Sequence, residues 1–282
     1  MANLQLVDKL KRTTHCSRIM VAAFAMAAFG SAHAVDTVKD GVLTVASDLT
    51  YPPYVYFDDD KKPAGFDADF TRLMADKLGL DIDIVDTRFS DLVLGLRANR
   101  FDVIASALYV TPERAELIDY VPYLKTGSSL IVKTSSDVKP AEPKDLCGMK
   151  VSNIKAASWR PKVLRVSEAE CDEPIDMLEF PTSPEALLAL RSGAVEVMME
   201  DAAVAHGMVE KNADEIEITS TELIYPIVIA LGVNQNNKEL QAAFEDALEQ
   251  AKESGEYQNL LDKYGLDAPT KEDMEASMAS TD

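Results

Sequence analysis

Along this chain, short β-branched runs typical of strands alternate with segments whose apolar residues recur at helical spacing. A β-branched run over 41–47 (GVLTVAS) predicts a strand that ends at Asp48. Over 66–78 the apolar residues recur at helical spacing, with Asp67 as the predicted cap and Gly79 as a left-handed stop. A further strand and helix follow in the same order. This alternation predicts an α/β protein.

A short internal echo indicates two related halves. The spacing of 96–103 (LRANRFDV) is repeated by 190–197 (LRSGAVEV), and each segment ends a predicted helix and begins a predicted strand. The second of these helices has Ser183 as its predicted cap and Gly193 as its stop. We therefore expect two lobes, each with a similar helix-to-strand unit.

Two extended stretches, 126–133 and 224–233, are suited to cross from one lobe to the other. The expected boundaries are 35–127 together with 230–268 for lobe 1, 128–229 for lobe 2, and 269–282 for a flexible acidic tail. Ligands in open α/β sheets lie beyond the carboxyl ends of the strands and often between domains. The residues that follow the echoed strands, Ser106 to Arg114 and Met199 to Asp201, are therefore the candidate site.

The first 34 residues have the order of a secretory signal. A basic stretch precedes an apolar run over 19–29, and Ala32-His33-Ala34 follows, so we expect cleavage after Ala34. The apolar run has about a dozen residues, fewer than the roughly 20 that span a bilayer. Cys16 precedes this run, whereas a lipoprotein would have its cysteine after it. We therefore expect a freely diffusing periplasmic protein.

Composition narrows the possible partners. The net charge is -20, and removal of a leader of net charge +3 leaves about -23 on the mature chain, which argues against a nucleic-acid partner. Of the three histidines, His206 alone remains after processing, so neither a His-based triad nor a metal cluster can be assembled. We expect no cofactor.

Two cysteines, Cys147 and Cys171, remain after processing. An oxidising compartment allows them to pair, and they lack the CxxC spacing of redox or metal sites. The bond would close a loop of about 25 residues and contribute about 3 kcal/mol in the chain-entropy model. We interpret the pair as a structural disulfide.

Several motifs in this order resemble the family 3 extracellular solute-binding proteins, the polar amino-acid binders of ABC importers. The resemblance covers roughly residues 41 to 266. The motifs are SDLTYPPY at 47–54, AGFDAD at 64–69, FDVI at 101–104, VTPER at 110–114, DYVPY at 119–123 and SGEY at 254–257. The resemblance implies a two-lobe periplasmic-binding-protein fold of type II with two hinge-crossing segments. It also implies an amino-acid-like zwitterion as ligand, an inner-membrane ABC permease as partner, and a monomer.

The resemblance also implies roles for individual residues. Arg114 occupies the position of the arginine that binds the ligand's α-carboxylate, and a planar guanidinium suits this with two charge-assisted hydrogen bonds. Asp201 aligns with the aspartate that receives the α-ammonium, and capping of the next helix is its alternative role. Tyr51 and Phe89 match aromatic positions that cover the ligand, with core packing as the alternative. Asp48 lies near a position that touches cationic side chains.

The chain departs from the family pattern at two places. Tyr109 stands where the family has a Ser or Thr that donates to the ammonium, and the second-lobe Gly-Thr pair becomes Ala156-Ala157-Ser158, followed by Trp159. The site is therefore more aromatic, and ring faces hold cations at about 0.5 to 2 kcal/mol per well-placed ring. A cationic or cyclic compatible solute, similar to ectoine, is the alternative ligand. The predicted ligand-binding residues are Asp48, Tyr51, Phe89, Ser106, Ala107, Tyr109, Arg114, Ser158, Trp159 and Asp201.

Two other functions compete with ligand capture. Enzymes similar to cyclohexadienyl dehydratase share the fold, and Glu200 is the one cleft acid suited to be a general acid. A sensory module is the other alternative, but no kinase, coiled-coil or lytic segment follows the binding region. We therefore expect a transport protein rather than an enzyme.

Overall fold

The structure is a computed structural model that describes residues 35–279. The predicted signal peptide and its cleavage site after Ala34 lie outside the described residues. None of the helices within 35–279 combines the length and apolarity needed to cross a membrane.

Twelve strands are distributed along the described residues. They are β1 Val42–Ser47, β2 Thr50–Tyr51, β3 Val55–Phe57, β4 Pro63–Ala64, β5 Asp81–Asp86, β6 Val103–Ile104, β7 Asp119–Lys133, β8 Lys150–Ile154, β9 Asp176–Phe180, β10 Val197–Asp201, β11 Ile216–Ile218 and β12 Ile224–Val233.

The same part of the chain contains nine α-helices and two short 3-10 segments, Phe89–Asp91 and Pro143–Leu146. The helices are α1 Phe66–Leu78, α2 Leu92–Arg97, α3 Pro112–Ala115, α4 Arg160–Glu170, α5 Ser183–Ser192, α6 Ala202–Lys211, α7 Lys238–Glu253, α8 Glu256–Tyr264 and α9 Lys271–Ala279.

The main sheet has the strand order β5-β1-β6-β12-β7-β10-β8-β9, with β11 paired to β7. Strands β5, β1 and β6 are parallel and belong to predicted lobe 1, whereas β10, β8 and β9 are parallel and belong to predicted lobe 2. Between them, β12 and β7 run antiparallel over Val233↔Asp119 to Ile224↔Ser128. The two stretches predicted to cross between lobes thus lie in the centre of the sheet. The exact lobe boundaries stay a prediction.

The echoed segments occupy equivalent positions in the sheet. The first leads from α2 into β6, which pairs with the central strand β12, and the second leads from α5 into β10, which pairs with the central strand β7. Helix α5 ends at Gly193 in the left-handed conformation, as predicted, but its cap is Thr182 rather than Ser183. The Thr182 hydroxyl accepts a hydrogen bond from the Glu185 amide.

Helix α1 starts differently from its prediction. Its N-cap is Gly65, at φ 107°, and Asp67 lies inside the first turn with its side chain fully buried. The Asp67 carboxylate accepts hydrogen bonds from the Ala107 amide (2.7 Å) and the Tyr123 hydroxyl (2.7 Å). Burial raises the pKa of Asp67 to about 7. Asp67 therefore links α1 to the segment after β6 instead of capping its own helix.

The predicted disulfide between Cys147 and Cys171 is confirmed. The two Cα atoms lie 5.3 Å apart, and the residues are separated by 24 positions in sequence. Cys171 follows α4 directly, so the bond fastens the end of that helix to the segment that precedes β8.

The acidic C-terminal segment differs from the predicted flexible tail, because residues 271–279 form helix α9. The buried Ser277 hydroxyl accepts a hydrogen bond from the Val228 amide (3.0 Å), and Met274 packs against a core cluster that includes Val228. The small residues and methionines of this segment allow it to lie close against β12.

Candidate functional site

The candidate site forms where the carboxyl ends of parallel strands from the two lobes converge. Asp48 follows β1, Ser106 follows β6, and Ser158 follows β8 by a short turn. This is the position at which open α/β sheets place ligands. The polar residues are therefore brought together by topology, although they are distant in sequence.

These residues enclose a cavity of about 20 Å³, which has room for about one water molecule. Nine of the ten predicted ligand-binding residues line it, and Asp201 does not. The nine are Asp48, Tyr51, Phe89, Ser106, Ala107, Tyr109, Arg114, Ser158 and Trp159. Their role in ligand binding stays a prediction.

Arg114 presents the cationic group of the cavity. Its helix, α3, begins at Pro112, with the Thr111 hydroxyl accepting from the Arg114 amide as N-cap. The guanidinium donates to the carbonyl oxygens of Tyr109 (2.9 Å) and Ala156 (3.0 Å), and it lies 5.5 Å from the centre of the Phe89 ring. Burial lowers the pKa of Arg114.

The charge of Arg114 is not neutralised by the protein. Within residues 35–279, no Asp or Glu oxygen lies within 4.0 Å of its guanidinium nitrogens. Arg114 is half-buried, and charges withdrawn from water are normally paired, because an unpaired charge in a low-dielectric site is costly. A ligand carboxylate would supply the missing partner.

Two residues of the site have left-handed backbone that non-glycine residues rarely adopt. Ala107 has φ 46° and Ala156 has φ 66°. The Ala107 amide is held by the Asp67 carboxylate, and the Ala156 carbonyl accepts from Arg114. Such strained positions persist where surrounding contacts fix them, and they cluster at ligand sites.

Asp201 ends β10 and is fully buried beneath the cavity lining. Its Oδ1 caps α6 by accepting from the amides of Ala203 (2.9 Å) and Val204 (3.3 Å). Its Oδ2 accepts from the hydroxyls of Tyr109 (2.6 Å) and Thr126 (2.9 Å). Asp201 thus has the capping role that was its alternative, and its predicted contact with a ligand ammonium stays a prediction.

Glu200 is also buried, next to Asp201 on the same strand. It accepts hydrogen bonds from the hydroxyls of Tyr51 (2.6 Å) and Ser183 (2.5 Å) and from the Asp201 amide (2.8 Å). Burial raises the pKa of Glu200 to about 7. Glu200 is not among the cavity-lining residues.

Aromatic side chains form much of the cavity wall. The ring centres of Tyr109 and Trp159 lie 5.7 Å apart at an interplanar angle of 60°. Tyr51 and Tyr109 direct their hydroxyls to Glu200 and Asp201, which do not line the cavity, so their rings separate the cavity from those carboxylates. The buried Trp159 Nε1–H has no hydrogen-bond acceptor within the described residues.

Asp48 is the one acid among the lining residues. It is buried, and its carboxylate accepts from the Thr50 hydroxyl (2.6 Å) and the Phe89 amide (3.0 Å). Its own amide donates to the Ser106 hydroxyl oxygen (3.0 Å). These bonds fix the turn after β1 and leave part of the accepting capacity of the carboxylate unused.

One lining residue, Ile154, was missed by the sequence reasoning, and Ala157 was named only as part of the second-lobe segment Ala156-Ala157-Ser158. Ile154 is the last residue of β8, so its position at a strand end was the available signal. Nothing in its apolar side chain distinguishes it from a core residue. Elsewhere, the described part of the chain contains no group of three or more His, Cys, Asp or Glu residues arranged to hold a metal ion.

This chain matches a known protein family, and it is similar in sequence to individual members of known function. The family model for bacterial extracellular solute-binding proteins, family 3, matches residues 43–267. The arginine-binding protein ArgT of Corynebacterium glutamicum is 26% identical over 232 residues, which cover 80% of this chain and 75% of ArgT. The L-cystine-binding protein TcyJ of Escherichia coli K12 is 24% identical over 247 residues, which cover 87% of this chain and 91% of TcyJ.

Among solved structures, an ancestral arginine-binding protein bound to arginine is similar in fold. Its TM-score is 0.75 at 28% identity, and the match covers 79% of this chain and 98% of that protein. ArgT, TcyJ and this ancestral protein are all named as binding proteins rather than enzymes.

Proposed function

The chain belongs to family 3 of the bacterial extracellular solute-binding proteins, and from this premise we propose that it captures a small amino-acid-like carboxylate in the cavity between its two lobes. Relatives named for arginine and L-cystine support an amino-acid-like ligand class.

One observation carries the proposal: Arg114 lines the cavity with its charge unpaired by any carboxylate of the described residues. Its two backbone contacts use two of the five N–H donors of a guanidinium, so three donors are left for a ligand. A planar fork of donors matches a carboxylate geometrically and electrostatically. Arg114 therefore anchors the acidic end of the ligand.

Contacts between the lobes support a coupling of capture to closure. Arg114 of lobe 1 donates to the Ala156 carbonyl of lobe 2, and Tyr51 of lobe 1 donates to Glu200 of lobe 2. These bonds exist when the lobes lie together around the cavity. A ligand that pairs with Arg114 stabilises this closed arrangement, because only differential binding shifts a conformational equilibrium.

The biological role follows from family membership. The protein is exported to the periplasm, remains monomeric, and delivers its ligand to an inner-membrane ABC permease. Catalysis is a weaker alternative because Glu200, the acid best suited to it by sequence, is bonded to protein groups on both of its oxygens and does not line the cavity.

A thermal-shift screen of the mature protein followed by calorimetric titration tests this proposal. The screen contains the standard L-amino acids, their N-methylated derivatives and related small carboxylates. A ligand at about 100 times its Kd adds roughly 2.7 kcal/mol to native stability. We expect at least one amino-acid-like carboxylate to bind, and no response from any of them would contradict the proposal.

The role of Arg114 is tested with two variants. Arg114→Ala removes the charge-assisted bonds, so we expect the Kd to rise about 30-fold or more. Arg160→Ala is the matched control, because Arg160 lines a neighbouring cavity but not the candidate site. We expect the control to bind within about threefold of wild type. Equal effects of the two variants would refute the anchoring role.

A further inference from the structure

Tyr109 occupies the position from which a ligand ammonium would reach Asp201. An ionised carboxylate has about four lone-pair positions. Those of Asp201 receive four donors from the protein, the amides of Ala203 and Val204 and the hydroxyls of Tyr109 and Thr126. Asp201 therefore has no accepting position left for a three-donor ammonium group.

Glu200, the neighbouring acid, is also hydrogen-bonded to protein groups. Glu200 accepts from Tyr51, Ser183 and the Asp201 amide, and it does not line the cavity. The floor that the cavity presents above these two acids is made of the Tyr51 and Tyr109 rings. A ligand lying on this floor meets the two tyrosine rings rather than the carboxylate oxygens of Glu200 and Asp201.

The remaining charges of the cavity nevertheless call for a zwitterion. Asp48 and Arg114 are the charged residues among those that line it, and neither has an oppositely charged side chain within 4.0 Å in the described chain. Asp48 is buried and Arg114 is half-buried, and charges withdrawn from water without partners are costly. A ligand with one negative and one positive group balances both, whereas an acid without nitrogen would leave Asp48 uncompensated.

We infer that the ligand is a carboxylate whose nitrogen is fully substituted, a betaine-type zwitterion. A primary ammonium brings three N–H donors, whereas Asp48 is the one carboxylate that lines the cavity, and it already accepts from Thr50 and Phe89. A fully substituted ammonium brings no N–H donor that needs an acceptor. It is attracted by aromatic rings, and Tyr51, Tyr109 and Trp159 all line the cavity.

The acidic end of this ligand has matching donors. Arg114 has unused N–H groups, and the buried Trp159 Nε1–H lacks an acceptor in the described chain. An unsatisfied buried donor is unfavourable, so a ligand oxygen that reaches it gains affinity. This inference rests on the proposed function and specifies the ligand class of the same site.

Calorimetric titration with matched pairs of small zwitterions tests the inference. The pairs are glycine with N,N,N-trimethylglycine, L-alanine with N,N,N-trimethyl-L-alanine, and L-proline with N,N-dimethyl-L-proline. We expect at least one methylated member to bind the wild-type protein tenfold or more tightly than its parent, since the Tyr51 and Tyr109 rings cover the buried carboxylates of Glu200 and Asp201 from a ligand ammonium. If the methylated member binds less than tenfold more tightly than its parent in every pair that binds, the inference is overturned and the proposed function remains intact.

Two variants of Tyr109 separate the ring from its hydroxyl. Tyr109→Thr removes the ring that covers Asp201, so the parent amino acid should gain access and the preference should shrink about tenfold or more. Tyr109→Phe keeps the ring, so the preference should stay within about threefold of wild type. If a folded Tyr109→Thr protein keeps the wild-type preference for the methylated member over its parent, this would count against the inference. Absence of binding by all pairs and all standard L-amino acids would contradict the proposed function together with it.

Discussion

Replacement of Glu200 by Gln should stabilise the ligand-free protein at alkaline pH. Burial raises the pKa of Glu200 from its ordinary value of 4.5 to about 7, so the native state holds this proton more tightly than the unfolded state does. The stability linked to this proton is fully present below about pH 4.5, where both states are protonated. It is lost as the pH rises through about 7, because the native state must then ionise a buried group.

The magnitude follows from the two pKa values. Each pKa unit corresponds to about 1.36 kcal/mol, so a change from 4.5 to about 7 amounts to roughly 3 kcal/mol at pH 8. Glutamine retains an oxygen that can accept from Tyr51 and the Asp201 amide, and its NH2 group can donate to Ser183. Glu200→Gln should therefore exceed wild type by up to about 3 kcal/mol at pH 8 and match it within about 1 kcal/mol at pH 4.5.

Urea unfolding of the ligand-free protein at pH 4.5, 6, 7 and 8 measures this difference. Glu210→Gln is the matched control, because Glu210 is an exposed glutamate on α6, and its pH profile should follow wild type. Asp67, whose pKa burial also raises to about 7, titrates in the same range, and the comparison of Glu200→Gln with wild type holds its contribution constant. A Glu200→Gln protein no more stable than wild type at pH 8 would refute the reasoning.

Two further predictions concern stability. Replacing Cys147 and Cys171 by serine should lower the free energy of unfolding by about 3 kcal/mol, measured by urea unfolding, since the disulfide joins residues 24 positions apart; an unchanged midpoint would contradict this. Gly65→Ala should cost about 2 kcal/mol or more in the same assay, because an added Cβ would lie 2.4 Å from the Tyr54 carbonyl oxygen at φ +107°. The matched control Gly79→Ala, at φ +67° with open space around it, should cost about 1 kcal/mol; equal losses would show that the close contact is unimportant.

Much of the fold could be predicted because its signals are local. The strand before Asp48 and the left-handed ends of two helices at Gly79 and Gly193 are each encoded by a few neighbouring residues. The echoed segments predicted two equivalent helix-to-strand units, and these lie on either side of the central strands. Residues that follow parallel strands converge by topology, and this identified the part of the candidate site within 106–114. The family resemblance indicated Tyr51, Phe89, Ser158 and Trp159.

The remaining features depend on contacts between distant segments. Asp67 has the sequence context of a cap, but its partners are Ala107 and Tyr123, which no local pattern places beside it. The family resemblance indicated Asp201 as a ligand contact, whereas the hydroxyl of Tyr109, a departure from the family pattern, occupies it in this structure. Sequence spacing predicts which residues lie at the same end of the sheet. It does not predict which of their side chains are hydrogen-bonded to other protein groups.

A crystal structure of the mature protein with the tightest-binding carboxylate from the screen tests the central claim most directly. We expect the ligand in the cavity between the lobes, with its carboxylate oxygens about 2.7 to 3.1 Å from the Arg114 guanidinium nitrogens. We also expect its other charged group to face the Tyr109 and Trp159 rings. A ligand bound outside this cavity, or bound inside it with its carboxylate away from Arg114, would contradict the claim.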